Sequence, residues 1–154
     1  MGYTHYFKRK PTLEKEPFNK FIEDVKQIFA HAKRSKKVTL VNGAGEKGTK
    51  PIANEKVISF NGVDNGKIDN SHETMQIPLV LNRANYDKGP LLFDFCKTAR
   101  KPYDKYVTAV LVAFKHHFPH AEISSDGDKE DFESGQKICI KLFGYGLDFK
   151  MRGE

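Results

Sequence analysis

Phe93-Asp94-Phe95-Cys96-Lys97-Thr98-Ala99-Arg100-Lys101-Pro102-Tyr103-Asp104 passes from an apolar stretch through three cations, a hydroxyl and a thiol into a helical pattern. Leu91–Cys96 has the composition of a strand. Pro102–Phe118 has the periodicity of a helix, with Pro102 in the first turn and Pro119 just past the end. A strand running directly into a helix predicts an architecture that mixes the two.

Reading outward from this junction extends the pattern. Ala121–Ser125 is a short strand and Asp126–Glu133 an acidic turn. Ile138–Phe143 is apolar and fits either a strand or a short helix. Toward the N-terminus, Gly2–Lys8 alternates and is rich in aromatics. Phe18, Phe21, Ile22, Val25, Ile28 and Phe29 recur at helical spacing. That helix should end near Arg34-Ser35, where Lys33, Arg34, Lys36 and Lys37 complement its dipole. Val38–Val41, Val57–Phe60 and Glu73–Leu81 read as strands, the last with Pro78 marking an edge or a break. With no repeat and no dividing linker, we expect one domain over residues 1–154. The expected class is α+β, a single mixed or antiparallel sheet packed by two main helices. A flexible Gly/Lys-rich loop should occupy residues 42–54.

Composition narrows the function classes. The 154 residues are 38% hydrophobic and 30% charged, as in ordinary globular domains. No apolar run is long enough to span a bilayer. The first residues lack the apolar core of a signal peptide, and Tyr6 stands where a myristoylation site requires Ser or Thr. We therefore expect a cytoplasmic location and no membrane partner. Cys96 and Cys139 are too few for a disulfide scaffold, and no Cys-x-x-Cys pair supports a zinc ribbon. The net charge is +6. The first fifty residues carry twelve Lys and Arg against five acids, so the excess lies there. A basic region suits a polyanionic partner; a solvated helix face beside a basic loop produces the same count.

Four motifs bear on chemistry. Gly43-Ala44-Gly45-Glu46-Lys47-Gly48 matches G-x-G-x-x-G after a strand, but no helix opens at its glycines as a dinucleotide site requires. Ser71-His72-Glu73-Thr74 offers an acid and a base, with His72 and Glu73 as the catalytic pair of any enzyme. His72-x-Thr74 is one half of the paired signature of two-histidine phosphoesterases, and no other histidine supplies the second half. The junction itself is an anion site: Lys97, Thr98, Arg100 and Lys101 stand where a helix N-terminus favours negative charge. Tyr103 is beside them as a surface for a base. Cys96 and Arg100 are separated by three residues, two fewer than in the loop of cysteine phosphatases. Finally, His116, His117 and His120 cluster at a helix end, but a metal would need a further ligand such as Glu122 or His72. Asp126–Asp131 lacks the glycine and glutamate of an EF-hand loop. We expect no metal and no other cofactor.

Met1-Gly-Tyr-Thr-His-Tyr6, Ile58-Ser-Phe-Asn-Gly62, His72-Glu-Thr74, Phe93–Asp104 and Ile123-Ser-Ser-Asp-Gly-Asp128 occur in this order along nearly the whole chain. In these strings the chain resembles a group of small uncharacterised proteins of tailed bacteriophages and prophages. The resemblance carries no established activity. It implies a virus-encoded accessory protein in the bacterial cytoplasm, of a kind that often counters host defence by binding a defence protein or by sequestering or degrading a nucleotide signal.

Three functions fit these readings. The first is a binder of a phosphate-bearing ligand, nucleotide or nucleic acid, held by Lys97, Thr98, Arg100 and Lys101, with His72, Glu73 and Tyr103 reading the base. The second is a phosphate-ester hydrolase using His72 and Glu73, with Arg100 stabilising the oxyanion. The third is an anti-CRISPR-like inhibitor that occludes a host defence protein.

Overall fold

A computed structural model describes residues 2–82 and 90–154. The order of elements is β1 (Thr4–Arg9), α1 (Lys15–Ser35), β2 (Leu40–Val41), β3 (Ile52–Ala53), β4 (Val57–Gly62), β5 (Met75–Pro78), β6 (Leu92–Lys97), α2 (Asp104–His117), β7 (Glu122–Ser125) and α3 (Glu133–Phe143), with a short 3₁₀ turn, Lys129–Phe132, before α3. The class is α+β. Among the described residues the strands divide between two antiparallel sheets where the sequence suggested one, and a third helix joins the two main ones.

In the first sheet β1 lies between β6 and β7. Tyr6 faces Phe95 on one side and Ser124 on the other. In the second sheet β4 is central, pairing β2, β3 and β5. Pro78 has no N–H to offer the ladder, but Leu79 N–H still donates to Lys56 O beside β4, while Leu79 O accepts from Leu13 N–H and Leu81 N–H donates to Pro11 O, so the end of β5 bridges to the segment that follows β1. Arg9 seals this corner. It is fully buried, and its guanidinium donates to the carbonyls of Pro78, Leu79 and Pro11. Burial pulls its pKa down to about 10.

The helices cover the sheets. α1 buries Phe18, Phe21, Ile22, Val25, Ile28 and Ala32, the stripe expected from its spacing. α2 is buried at every position from Tyr106 to Phe114, so it is the central helix and needs no polar face. Phe114 meets Phe7, Phe21 and Phe118 with ring centroids 5.3–6.0 Å apart. α3 resolves the ambiguity at Ile138–Phe143 in favour of a helix. It approaches α2 closely because residue 135 is glycine: a Cβ there would lie 2.4 Å from Thr108 Oγ1 and 2.5 Å from the Ala109 amide nitrogen. Among the described residues, no helix is long and apolar enough to cross a membrane.

Candidate functional site

The junction after β6 is a tight turn. Lys101 N–H donates to Thr98 O at 3.0 Å, and the two central residues, Ala99 and Arg100, have φ of +51° and +58°. Two left-handed residues in succession are the φ signature of a type I′ turn and cost about 1 kcal/mol each without glycine. The turn is held by β1, since the N–H groups of Thr98 and Ala99 both donate to Tyr3 O. The amides of Thr98, Ala99 and Lys101 are therefore already engaged within the protein.

An internal carboxylate already occupies the anion position at the start of α2. Asp104 Oδ1 accepts from Thr98 Oγ1 at 2.6 Å and meets His5 Nε2 at 2.6 Å. His5 Nδ1 meets Ser125 Oγ at 2.8 Å. Thr98 and His5 are wholly buried, so this Ser125–His5–Asp104–Thr98 chain ties β7, β1 and the junction to the helix. Tyr103 is also fully buried, with its hydroxyl on Glu73 O at 2.7 Å. Thr98 and Tyr103, expected to touch ligand, are thus built into the floor beneath the surface. Tyr3 lies behind the same turn. Its hydroxyl is buried without a hydrogen-bond partner among the described residues. The nearby Ser125 oxygen is taken up by His5 and the Gly127 amide.

The remaining predicted residues stay at the surface. Glu73 and Lys97 form a reciprocal pair: Glu73 N–H donates to Lys97 O at 3.1 Å, and Lys97 N–H to Glu73 Oε1 at 2.7 Å. Lys101 Nζ donates to Asp69 O at 2.8 Å. Hydrogen bonds from Ser71 hold the Asp69 carboxyl below its ordinary pKa, with Lys101 and His72 adding their charge. His72 is exposed, so Asp69, His72, Glu73, Lys97 and Lys101 share one stretch of surface. Arg100 points elsewhere. Its guanidinium bonds Asp131 Oδ1 at 3.0 Å and stacks on the Tyr3 ring, 3.9 Å from the centroid.

The glycine motif joins the same region. Asn61 Nδ2 donates both to Gly43 O, at 3.0 Å, and to His72 O, at 2.9 Å. Gly45, with φ of +75°, packs so closely that a Cβ would lie 2.8 Å from Ser71 Cβ. No helix opens at these glycines; the loop is braced by Asn42–Glu46 and Thr49–Glu46 hydrogen bonds and leads into β3. Three motifs far apart in the chain therefore meet, as a surface rather than as a nucleotide fold.

One feature of this surface was not legible in advance. Phe93, Phe95 and Lys97 alternate along β6 and so lie on one face, opposite Lys8, Tyr6 and Thr4 of β1. Phe93 stacks on Tyr6 and contacts Phe95, each pair with centroids 5.9 Å apart. The two phenylalanines are nevertheless 37% and 46% exposed. A shallow cleft of about 320 Å³ lined by Glu73, Thr74, Gln76 and Phe95 adjoins them.

The other candidates are structural. His117 Nε2 and the Tyr145 hydroxyl both bond Asp24 Oδ2 at 2.7 Å, and His116 stacks flat on Tyr145 at 3.7 Å. Among the described residues no group of three or more His, Cys, Asp or Glu side chains is arranged to hold a metal. Cys96 is buried with its Sγ donating to Glu73 O, and desolvation pushes its thiol far above the ordinary range, which favours the protonated form. Compared with family models, with curated proteins and with solved structures, the chain finds no match.

Proposed function

We propose that the protein binds a phosphate-bearing ligand with an exposed base, a nucleotide or single-stranded nucleic acid, on the outer face of β1 and β6. The observation that carries this reading is the Phe93–Phe95–Lys97 alternation on one sheet face, where both rings are partly exposed. Aromatic rings on a sheet surface stack bases, and adjacent cations follow the phosphates. Phe95 takes the base, Lys97 and Lys101 the phosphate, and His72 stands at the edge. Arg100, committed to Asp131 and Tyr3, supports the turn from behind. The resemblance to small bacteriophage proteins supports reading this binding as one that acts in an infected bacterial cell, countering host defence by sequestration. Hydrolysis has less support, because Glu73 holds the Lys97 amide and Arg100 is directed toward Asp131.

Fluorescence anisotropy with labelled oligothymidylate and with nucleotides, at low ionic strength where phosphate attraction is strongest, tests the reading. Phe95→Ala should weaken oligonucleotide binding about tenfold, within the range for loss of one stacked base. No binding by the wild-type protein would refute it. Intact nucleotide recovered after incubation separates binding from hydrolysis, and a stoichiometric host protein in place of any nucleic acid favours the inhibitor.

A further inference from the structure

A second cluster of charge lies away from this face. Between α1, α2 and α3 runs a cleft of about 420 Å³, lined by His31, Lys105, Glu130, Glu133, Lys137 and Lys141 among others. Lys137 and Lys141 are one helical turn apart on α3 and so project from the same side. Lys105 comes from the first turn of α2 and His31 from the last third of α1, with Arg34 one turn further on. These four cations are exposed. Among the described residues none of them forms an ion pair, although two glutamates line the same cleft.

His31 stands among cations at this cleft. Burial lowers the His31 pKa first, and the charges that lower it further are Lys105, Lys141 and Arg34; no acid offsets them. Three lysines and two glutamates line the cleft around this ring. His31 Nδ1 lies 3.0 Å from the buried Tyr106 hydroxyl. A hydroxyl donating to Nδ1 leaves the ring proton on Nε2, as a donor for a ligand. Along α3 the row runs Glu133, Lys137, Lys141, in which the glutamate offsets the nearer lysine and Lys141 stands furthest from it.

We propose that the cleft between α1, α2 and α3 binds a compact polyanion carrying two or more linked phosphates, held by Lys105, Lys137 and Lys141 with His31 at its base. The chemistry recognised is the phosphate chain, whether free oligophosphate or the tail of a nucleoside triphosphate. This site is independent of the aromatic sheet face.

Calorimetric titration of the full chain with sodium tripolyphosphate, with ATP and with AMP tests the proposal, alongside an NMR titration of His31. Saturable binding of tripolyphosphate is expected, and AMP should bind at least tenfold more weakly. Bound phosphate should raise the His31 pKa, because negative charge favours the imidazolium. The exposed double variant K137E/K141E should lose at least tenfold in affinity while circular dichroism is unchanged. K20A/K26A, at exposed positions of α1 outside the cleft, should bind tripolyphosphate as the wild type does, and K97A/K101A separates the cleft from the sheet face. ATP and tripolyphosphate binding equally assigns recognition to the phosphates alone; ATP binding more tightly assigns the source to a nucleotide tail. No saturable binding, an unmoved His31 titration, or full affinity in K137E/K141E overturns the proposal. Loss confined to K97A/K101A also overturns it and transfers the binding to the sheet face.

Discussion

Asn61 and His72 grip one another through two hydrogen bonds, from Asn61 Nδ2 to His72 O at 2.9 Å and from His72 N–H to Asn61 Oδ1 at 3.0 Å. The same amide also donates to Gly43 O and accepts from the Gly62 amide. All four of its hydrogen-bonding positions are filled, in a side chain only 2% exposed.

Asn61→Asp should therefore be more damaging than its size suggests. A carboxylate cannot donate, so it faces the Gly43 and His72 carbonyls as an unpaired buried charge. A loss of about 3 kcal/mol is expected from unsatisfied buried groups, measured by urea unfolding. An unchanged midpoint would show that the amide does not hold the loops together.

Ala99→Gly should stabilise the protein by about 1 kcal/mol, because glycine adopts positive φ without the clash that alanine suffers. Chemical denaturation at a single pH measures it. A destabilised variant would mean that the turn is not under strain at this position.

Gly135→Ala should do the opposite of what helix propensity alone predicts. Alanine favours a helix over glycine by about 1 kcal/mol, but its methyl would press on Thr108 and Ala109 of α2. Overpacking typically costs about 1–3 kcal/mol, so a net loss is expected. A higher melting temperature would show that α3 can slide away.

Alkaline pH should unfold the protein progressively. Burial raises the thiol of Cys139 to about 12 and that of Cys96 further still, from an ordinary value of 9. The folded state thus keeps protons that the unfolded state releases above pH 9. Stability should fall from there toward pH 12, by up to about 1.4 kcal/mol per pH unit for each thiol. Replacing both cysteines with alanine should flatten the slope between pH 9 and 10 and leave the part above pH 10 to which the raised tyrosines Tyr3, Tyr103 and Tyr145 contribute. The native thiols should also resist a thiol-specific reagent at mildly alkaline pH, and rapid labelling would contradict their burial.

What was legible in the sequence was the local part. The Phe18–Phe29 stripe specified α1, and the apolar run Leu91–Cys96 specified β6, because periodicity is a property of neighbours in the chain. α3 was obscured because the short apolar run Ile138–Phe143 fits a strand as well as a helix. At the site, the meeting of His72-Glu73 with Lys97 and Lys101 depended on pairings that no local pattern encodes. A hydroxyl such as that of Thr98 or Tyr103 looks available for ligand until its partner, Asp104 or Glu73, is placed beside it. The exposure of Phe95 was equally hidden, since a strand's composition does not say which of its faces is covered.

The position of β1 in the middle of its sheet has a consequence for synthesis. It is made before either of its neighbours, and its contact between His5 and Ser125 spans 120 residues. On a ribosome adding roughly 5–20 residues per second, this strand waits several seconds with both edges open. α1 and the β2–β5 sheet can assemble in that interval from nearby contacts. β1 is then sealed last, making this early segment the one that a chaperone or an aggregating neighbour meets first.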